Sequence, residues 1–229
     1  MNRTDPLILL RGLSYSYREG KQDHAVLRGL SGEIGRGEYV ALLGQSGCGK
    51  STLLNLIAGL DVPENGEIII NGVVLNRLDE RERTLFRRRH VGFVYQFFNL
   101  LPTLTVEENI LLPLELKGAP ASAREHAHQL LNDVGLGDRA GSYPDQLSGG
   151  EQQRIAIVRA VAHDPLLLLA DEPTGNLDSK TGEHILDLID RIIRAQGKTL
   201  LVVTHSQEIA SRADRILYLH DGQLSEARS

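Results

Sequence analysis

The 229-residue chain has a single cysteine, so no internal disulfide can staple it, and a reducing compartment is the expected setting. It has no basic excess: Lys+Arg 25 against Asp+Glu 30 leave a net charge of −5. A nucleic-acid-binding domain needs a basic face, so nucleic acid is not an expected partner. Long apolar runs are missing too. The longest, at 110–116 and 166–170, fall short of the roughly 18 residues that read as a bilayer span. A secretion signal is not expected, because the apolar stretch at 7–10 is cut by Arg11, where a signal needs about 7–15 apolar residues. What is present is ordinary globular composition, 41% hydrophobic and 24% charged, which argues against disorder as the main state. The expected location is cytoplasmic, with any membrane role supplied by a partner.

Strand-like runs rich in Val, Ile, Leu and Tyr lie at 7–10, 39–43, 67–70, 91–95, 166–170, 199–204 and 215–219. Helical patterns fall between several of them. Residues 50–60 follow a glycine-rich turn, and 179–195 carry Ile185, Leu188, Ile189, Ile192 and Ile193 at helical spacing. This alternation predicts an α/β protein with a mainly parallel sheet. From 97 to 163 the strands vanish. There Thr105 with Glu108, Ser122 with Glu125 and Ser148 with Glu151 each fit a capping box, predicting three helix starts in a helical insertion.

The strongest chemical signal is Gly44, Gln45, Ser46, Gly47, Cys48, Gly49, Lys50 and Ser51, which match G-x-x-x-x-G-K-[ST] between an apolar strand and a helix. Backbone N–H groups of such a loop cradle phosphate, and the helix N-terminus adds a favourable dipole. Lys50 would reach the β and γ phosphates, and the Ser51 hydroxyl would hold Mg2+. An ordinary glycine turn is the competing reading; at usual glycine frequency a chance match in such a chain is of order one in a hundred. Thr52 belongs with the phosphate-binding set, and it also breaks the dinucleotide fingerprint, which needs a third small residue there.

A second signal is the apolar run 166–170 ending in Asp171 and Glu172. Alone, such a pair is more often a helix cap or a solvated turn. Behind a P-loop, Asp171 reads as the Mg2+ contact through its water shell and Glu172 as the general base. The third signal is Leu147-Ser-Gly-Gly-Glu-Gln-Gln-Arg154. The box of Ser148 with Glu151 accounts for part of it. Two glycines in a first turn cost roughly 1 kcal/mol each relative to alanine. They also expose backbone N–H groups at a positive helix end, which an anion site requires. Ser148, Gly149, Gly150 and Glu151 are therefore candidate nucleotide contacts.

This octapeptide resembles the signature of ATP-binding cassette (ABC) ATPases, and the other motifs of that family follow in order over essentially the whole chain. The resemblance implies that Tyr17 stacks on adenine, with Tyr15 as the alternative. It implies that Gln96 is the Q-loop glutamine, sensing Mg2+ and the γ-phosphate, that Gly175-Asn-Leu-Asp178 is the D-loop, and that His205 is the switch histidine. Catalysis would then rest on Glu172, His205 and Lys50, with Ser51, Gln96 and Asp171 toward Mg2+ and Asp178 among the nucleotide contacts. The implied fold is a P-loop NTPase, ABC-type nucleotide-binding domain with a RecA-like core, an antiparallel β subdomain and a helical subdomain insertion. Its single domain, 1–229, would divide into a core of 1–96 and 164–229 and a helical signature subdomain of 97–163.

Gly175-Asn-Leu-Asp178, Leu101-Pro-Thr-Leu-Thr105, Leu60-Asp61 and Gln152-Gln153 resemble the lipoprotein-releasing and macrolide-exporting branch of the family. The implied role is the ATP-binding subunit of a transporter, working as a homodimer. Two ATP molecules would be trapped between one copy's P-loop and the other's Ser148–Gly150 turn. A separate membrane permease would dock near Phe97-Phe-Asn-Leu-Leu101 and hold the subunit on the cytoplasmic face of the inner membrane, in the manner of a helix seated in a groove. Pure core is the competing reading of that aromatic run. An importer subunit is the alternative function, then a soluble ABC ATPase, a small-molecule kinase or a structural nucleotide-binding subunit. The soluble class would need tandem cassettes or sustained heptads, and neither is present.

Two positions depart from the family pattern: Ser206 stands where Asp often follows the switch histidine, and Cys48 where serine is usual. A thiol beside a helix N-terminus and a phosphate cradle is placed to react, so alkylation is expected to inhibit hydrolysis. The basic run Arg87-Arg-Arg-His90 is read as a solvated, partly ion-paired helix end. His126 and His128 are read as helix surface, since metal ligands on a helix need a spacing of i and i+4.

Overall fold

The structure, a computed structural model, describes residues 6–20 and 22–226. Its first stretch runs β1 (Ile8–Glu19), β2 (Gln22–Ile34), β3 (Tyr39–Leu43), α1 (Lys50–Ile57), β4 (Asn65–Ile70), β5 (Val73–Val74) and α2 (Glu80–His90). The middle carries β6 (Val91–Val94), α3 (Val106–Lys117), α4 (Ala121–Asp133), α5 (Gly149–Ala162), β7 (Leu167–Asp171) and α6 (Ser179–Gln196). The chain closes with β8 (Thr199–Val203), α7 (Gln207–Arg212), β9 (Arg215–His220) and β10 (Gln223–Glu226). Two compact units result, one of the residues up to Arg87 with those from Thr199 onward, the other Arg88–Lys198.

In the first unit, β3 pairs in parallel with β8 on one side and β9 on the other, and β10 joins β9 antiparallel. Every residue of β3 and β8 is buried. That is why both read as unbroken apolar runs rather than alternating ones. A separate antiparallel sheet takes the order β2-β1-β4-β5. Only the end of this sheet, 7–10 and 67–70, is predicted from the sequence; β1 continues to Glu19, and β2 is not predicted at all. Register shifts around Leu10, Leu13 and Tyr15 break the period-two pattern that would have marked one long strand.

In the second unit, β6 and β7 pair in parallel. Between 97 and 163 there is no strand among the described residues. Leu111, Leu114, Ala127 and Ala162 form a helical core there, joined by Ala119 and Ala123. Helix α5 is its centre: Ile155, Ala156, Ile157, Val158, Ala160, Val161 and Ala162 are all buried. Apolar residues on every side mark a helix enclosed by others. The boxes at Thr105 with Glu108 and at Ser148 with Glu151 form reciprocally as expected. The third does not. Helix α4 starts at Ala121 with Pro120 as its N-cap and no side-chain cap, so Ser122 falls inside the first turn, past the cap position its box requires.

Candidate functional site: a phosphate cradle and a carboxylate turn

In the first unit the cradle lies between β3 and α1. Gly49, the N-cap of α1, has φ 102 and makes no side-chain cap, and the first turn of α1 holds no acidic residue. Its leading N–H groups therefore stay oriented and uncompensated, as an anion site needs. An L side chain at Gly49 would be strained and would also collide with Val26. The Lys50 ammonium is drawn back over the loop, donating to the carbonyls of Gly44 at 2.7 Å and Gln45 at 2.9 Å. Gln45, Ser46, Gly47 and Ser51 are exposed, while Thr52 is buried. This glycine loop, its lysine and its open helix end fit a polyphosphate.

Tyr17 lies beside the cradle, its hydroxyl 3.1 Å from Thr52 Oγ1. Tyr15 meets it edge-on at 5.2 Å and is the more enclosed of the two. His205 is exposed, two residues past the end of β8. Ser206, the departure noted above, is the N-cap of α7 and accepts from the Ile209 N–H. Serine and aspartate cap helices about equally well, so the turn after His205 is kept. Cys48 Sγ packs tightly on Gly44; a Cβ added at Gly44 would sit 2.6 Å from it. An adduct on that sulfur has to open the loop. N-Ethylmaleimide is thus expected to abolish nucleotide binding at the cradle, with Cys48→Ser resistant in the same binding assay.

In the second unit β7 ends at Asp171, and Glu172 turns the chain with φ 45. A non-glycine residue in that region is held there by its surroundings. Here the Gly175 N–H donates to the Glu172 carbonyl at 3.0 Å. Gln96, two residues beyond β6, meets the same turn: its carbonyl accepts from Asn176 Nδ2 at 2.9 Å, and its Nε2 lies 3.4 Å from Asn176 Oδ1. A Cβ at Gly175 would stand 2.9 Å from Gln96 Nε2. Gln96, Glu172 and the Gly175-Asn-Leu-Asp178 segment are therefore one constellation. Asp178 itself caps α6, accepting from the Thr181 N–H at 3.1 Å. Hydrogen bonding from Thr181, by its side chain first and its main-chain N–H second, holds the Asp178 carboxyl below the usual carboxylate range.

The Ser148–Glu151 turn opens α5. Ser148 Oγ donates to Glu151 Oε2 at 2.6 Å, and this bond, with the Ser148 N–H, lowers the Glu151 pKa. The two glycines differ. Gly149 is half-buried, but Gly150 is buried, and a Cβ on it would meet Thr181 Cγ2 at 2.5 Å. Its lack of a side chain serves helix packing, a reason the sequence reading did not supply.

Sequence reasoning gives no role of their own to three residues here, two of them inside the motifs already quoted. Asn176 ties Gln96 to the turn. Arg159 donates to the carbonyls of Phe98 at 2.9 Å and Asn99 at 2.5 Å. Both of those residues have positive φ, and Phe97 beside them is 71% exposed. Gln153 is fully buried on α5. Its spacing to Gly150 and Ile157, i+3 and i+7 on one helix face, is the signal that could have exposed it as a polar residue on a buried stripe.

A family model described as ABC transporter matches residues 27–175. The chain is 53% identical over 228 residues to an uncharacterized ABC transporter ATP-binding protein of Mycobacterium tuberculosis, covering 99% of this chain and 92% of that one. It is 47% identical over 221 residues to the lipoprotein-releasing system ATP-binding protein LolD of Zymomonas mobilis, covering 96% and 95%. To the macrolide export ATP-binding/permease protein MacB of Rhodopirellula baltica it is 48% identical over 223 residues, covering 96% of this chain and 33% of that one. The solved dimeric structure of MJ0796, a bacterial ABC transporter cassette, superposes with a TM-score of 0.87 at 43% identity, covering 97% and 99%. A post-hydrolysis state of the same cassette, dimeric and bound to ADP and Pi, superposes at 0.85 with 40% identity.

Proposed function

The chain belongs to the ABC transporter family as an ATP-binding, ATP-hydrolysing subunit, and from that premise we propose that it powers a separate membrane permease of the export or lipoprotein-release type. The observation that carries this reading is the cradle before α1, where Lys50 and an uncapped helix end face no acidic residue of their own helix. Names given to relatives, lipoprotein-releasing and macrolide-exporting, support the direction of transport.

In this reading the N–H groups from Gly44 to Thr52 and the Lys50 ammonium take the β and γ phosphates, and Tyr17 stacks on adenine. Ser51 and Gln96, with Asp171 through the water shell, would hold Mg2+ by oxygen donors, a donor type that suits this hard cation. When bound, the ion would supply charge neutralisation on the phosphates. Glu172 accepts a proton from the attacking water, and His205 contacts the γ-phosphate. Ser148, Gly149, Gly150, Glu151 and Asp178 act toward the nucleotide of a second copy, so a pair of subunits traps two ATP molecules.

Residues 97–163 form the signature subdomain, and Phe97-Phe-Asn-Leu-Leu101, braced by Arg159, is the permease contact. Among the described residues no helix is long and apolar enough to cross a membrane; in this reading the same contact attaches the subunit to the inner membrane. Closure on ATP and reopening after hydrolysis would move the contact and with it the permease.

The test is to tag the Glu172→Gln protein, express it in its native cell and purify it from detergent-solubilised membranes with and without ATP. A co-purifying integral membrane protein with a large extracytoplasmic domain is the expected result. Recovery only in the soluble fraction, with ribosomal or DNA-processing proteins, would sink the transport role.

A further inference from the structure

We propose that Gln153 is a positioning residue that fastens the backbone beside Glu172 to helix α5. Its side chain is fully buried, and Nε2 donates to the carbonyl of Pro173, the residue after Glu172, at 2.5 Å. The other end of the amide, Oε1, is buried without a hydrogen-bond partner among the described residues. The orientation is fixed, because turning the amide over would set oxygen against oxygen. A buried amide with one end unsatisfied is an expensive core residue. The other buried positions of this helix are glycine, alanine, valine or isoleucine, which carry no such cost. What the amide does that they cannot is hold the Pro173 carbonyl.

That carbonyl sits in the turn where Glu172 takes φ 45. The turn is held from one side by the local Gly175 N–H bond to the Glu172 carbonyl, and from the other by Gln153. Gln153 lies five residues into α5 from its N-cap Ser148, about 7.5 Å along the axis at 1.5 Å per residue. A shift or rotation of the first turn of α5 is carried by the rigid helix to Gln153 and onward to Glu172. This consequence rests on the reading that the nucleotide of a second copy is gripped at Ser148 and Gly149. The orientation of Glu172 in one copy then depends on whether its own α5 is engaged, so a lone subunit holds its base poorly placed.

The experiment compares Gln153→Met with the unsubstituted protein. Methionine keeps the length and volume and removes the donor. The expected result is a kcat for ATP hydrolysis lower by about tenfold or more, with KM for ATP within about twofold. Deuterium exchange at the Gly175 amide should be faster by about tenfold, with the urea midpoint of unfolding barely moved. Unchanged Gly175 protection overturns the proposal, as does a KM that rises in step with the fall in kcat. The exchange measurement needs no hydrolysis, so it decides on Gln153 even if the unsubstituted protein proves inactive toward ATP, a result that would count against the ATPase reading alone. If Gln153→Met does not fold, Gln153→Glu serves instead. Its carboxyl donates only when protonated, so Gly175 protection should be weak at pH 8 and recover toward pH 5; weak protection at both overturns the proposal.

Discussion

Glu172→Gln lowers ATP hydrolysis by roughly 10²–10⁴-fold, the range that a positioned general base contributes. The amide has nearly the shape of the carboxylate but cannot accept a proton from water. Nucleotide affinity survives, because the cradle of Gly44 to Thr52 and the Lys50 ammonium are untouched. The variant therefore binds ATP and does not turn it over, which single-turnover kinetics with labelled ATP would read directly. Turnover near the unsubstituted rate would remove Glu172 from the role of base.

Acid costs the fold about 3 kcal/mol through His163 alone. This histidine follows α5 and is buried, with its Nε2 3.1 Å from the Val91 carbonyl. Burial pushes its pKa down from 6.5 to about 4, against the opposing pull of that hydrogen bond. Lys117 and Lys198 also lower it, while Asp164 raises it. In the unfolded chain the imidazole takes up a proton near pH 6.5; in the fold it does so only near pH 4. The unfolded state thus binds more protons between those values, and stability falls as the pH drops through that window. The contribution is complete above pH 6.5 and mostly lost by pH 4, about 3 kcal/mol at roughly 1.4 kcal/mol per unit. Urea unfolding of the protein and of His163→Gln at pH 7.5, 5.5 and 4.5 checks this: the unsubstituted protein should lose its advantage as the pH falls. A gap between the two that does not change with pH contradicts it.

How much of this was legible in the sequence depended on how each element is buried. β3, β7 and β8 are covered on both faces, so 39–43, 166–170 and 199–204 announce themselves by composition, and the strands differ from those spans by a residue or so. α6 keeps Ile185, Leu188, Ile189, Ile192 and Ile193 on one buried face, and its periodicity was plain. β2 is different. Leu27, Leu30 and Ile34 are buried, but glycine and charged residues lie between them at irregular spacing, so neither period emerges. α2 buries only Phe86, and the sequence marks it merely as a charged helix end.

The site divides the same way. The glycine loop, Asp171, Glu172 and the Ser148 turn carry the chemistry proposed for them in local spacing, where motif reading looks. Asn176, Gln153 and Arg159 act through carbonyl and amide groups of Gln96, Pro173, Phe98 and Asn99. Those partners are brought near by the chain's folding, and a main-chain carbonyl has no letter in the sequence. The cap at Pro120 was misjudged for a related reason: Ser122 and Glu125 have the right spacing, yet the helix had already begun at Ala121.

The most direct test of the account is the mass in solution of purified Glu172→Gln, measured by light scattering with and without ATP. The expected result is a single subunit without nucleotide and a doubled mass with ATP, because in the proposed arrangement the cradle of one copy faces the Ser148 turn of another and hydrolysis no longer reopens the pair. A mass that stays the same in both conditions, while ATP is demonstrably bound, would contradict a site completed between two copies.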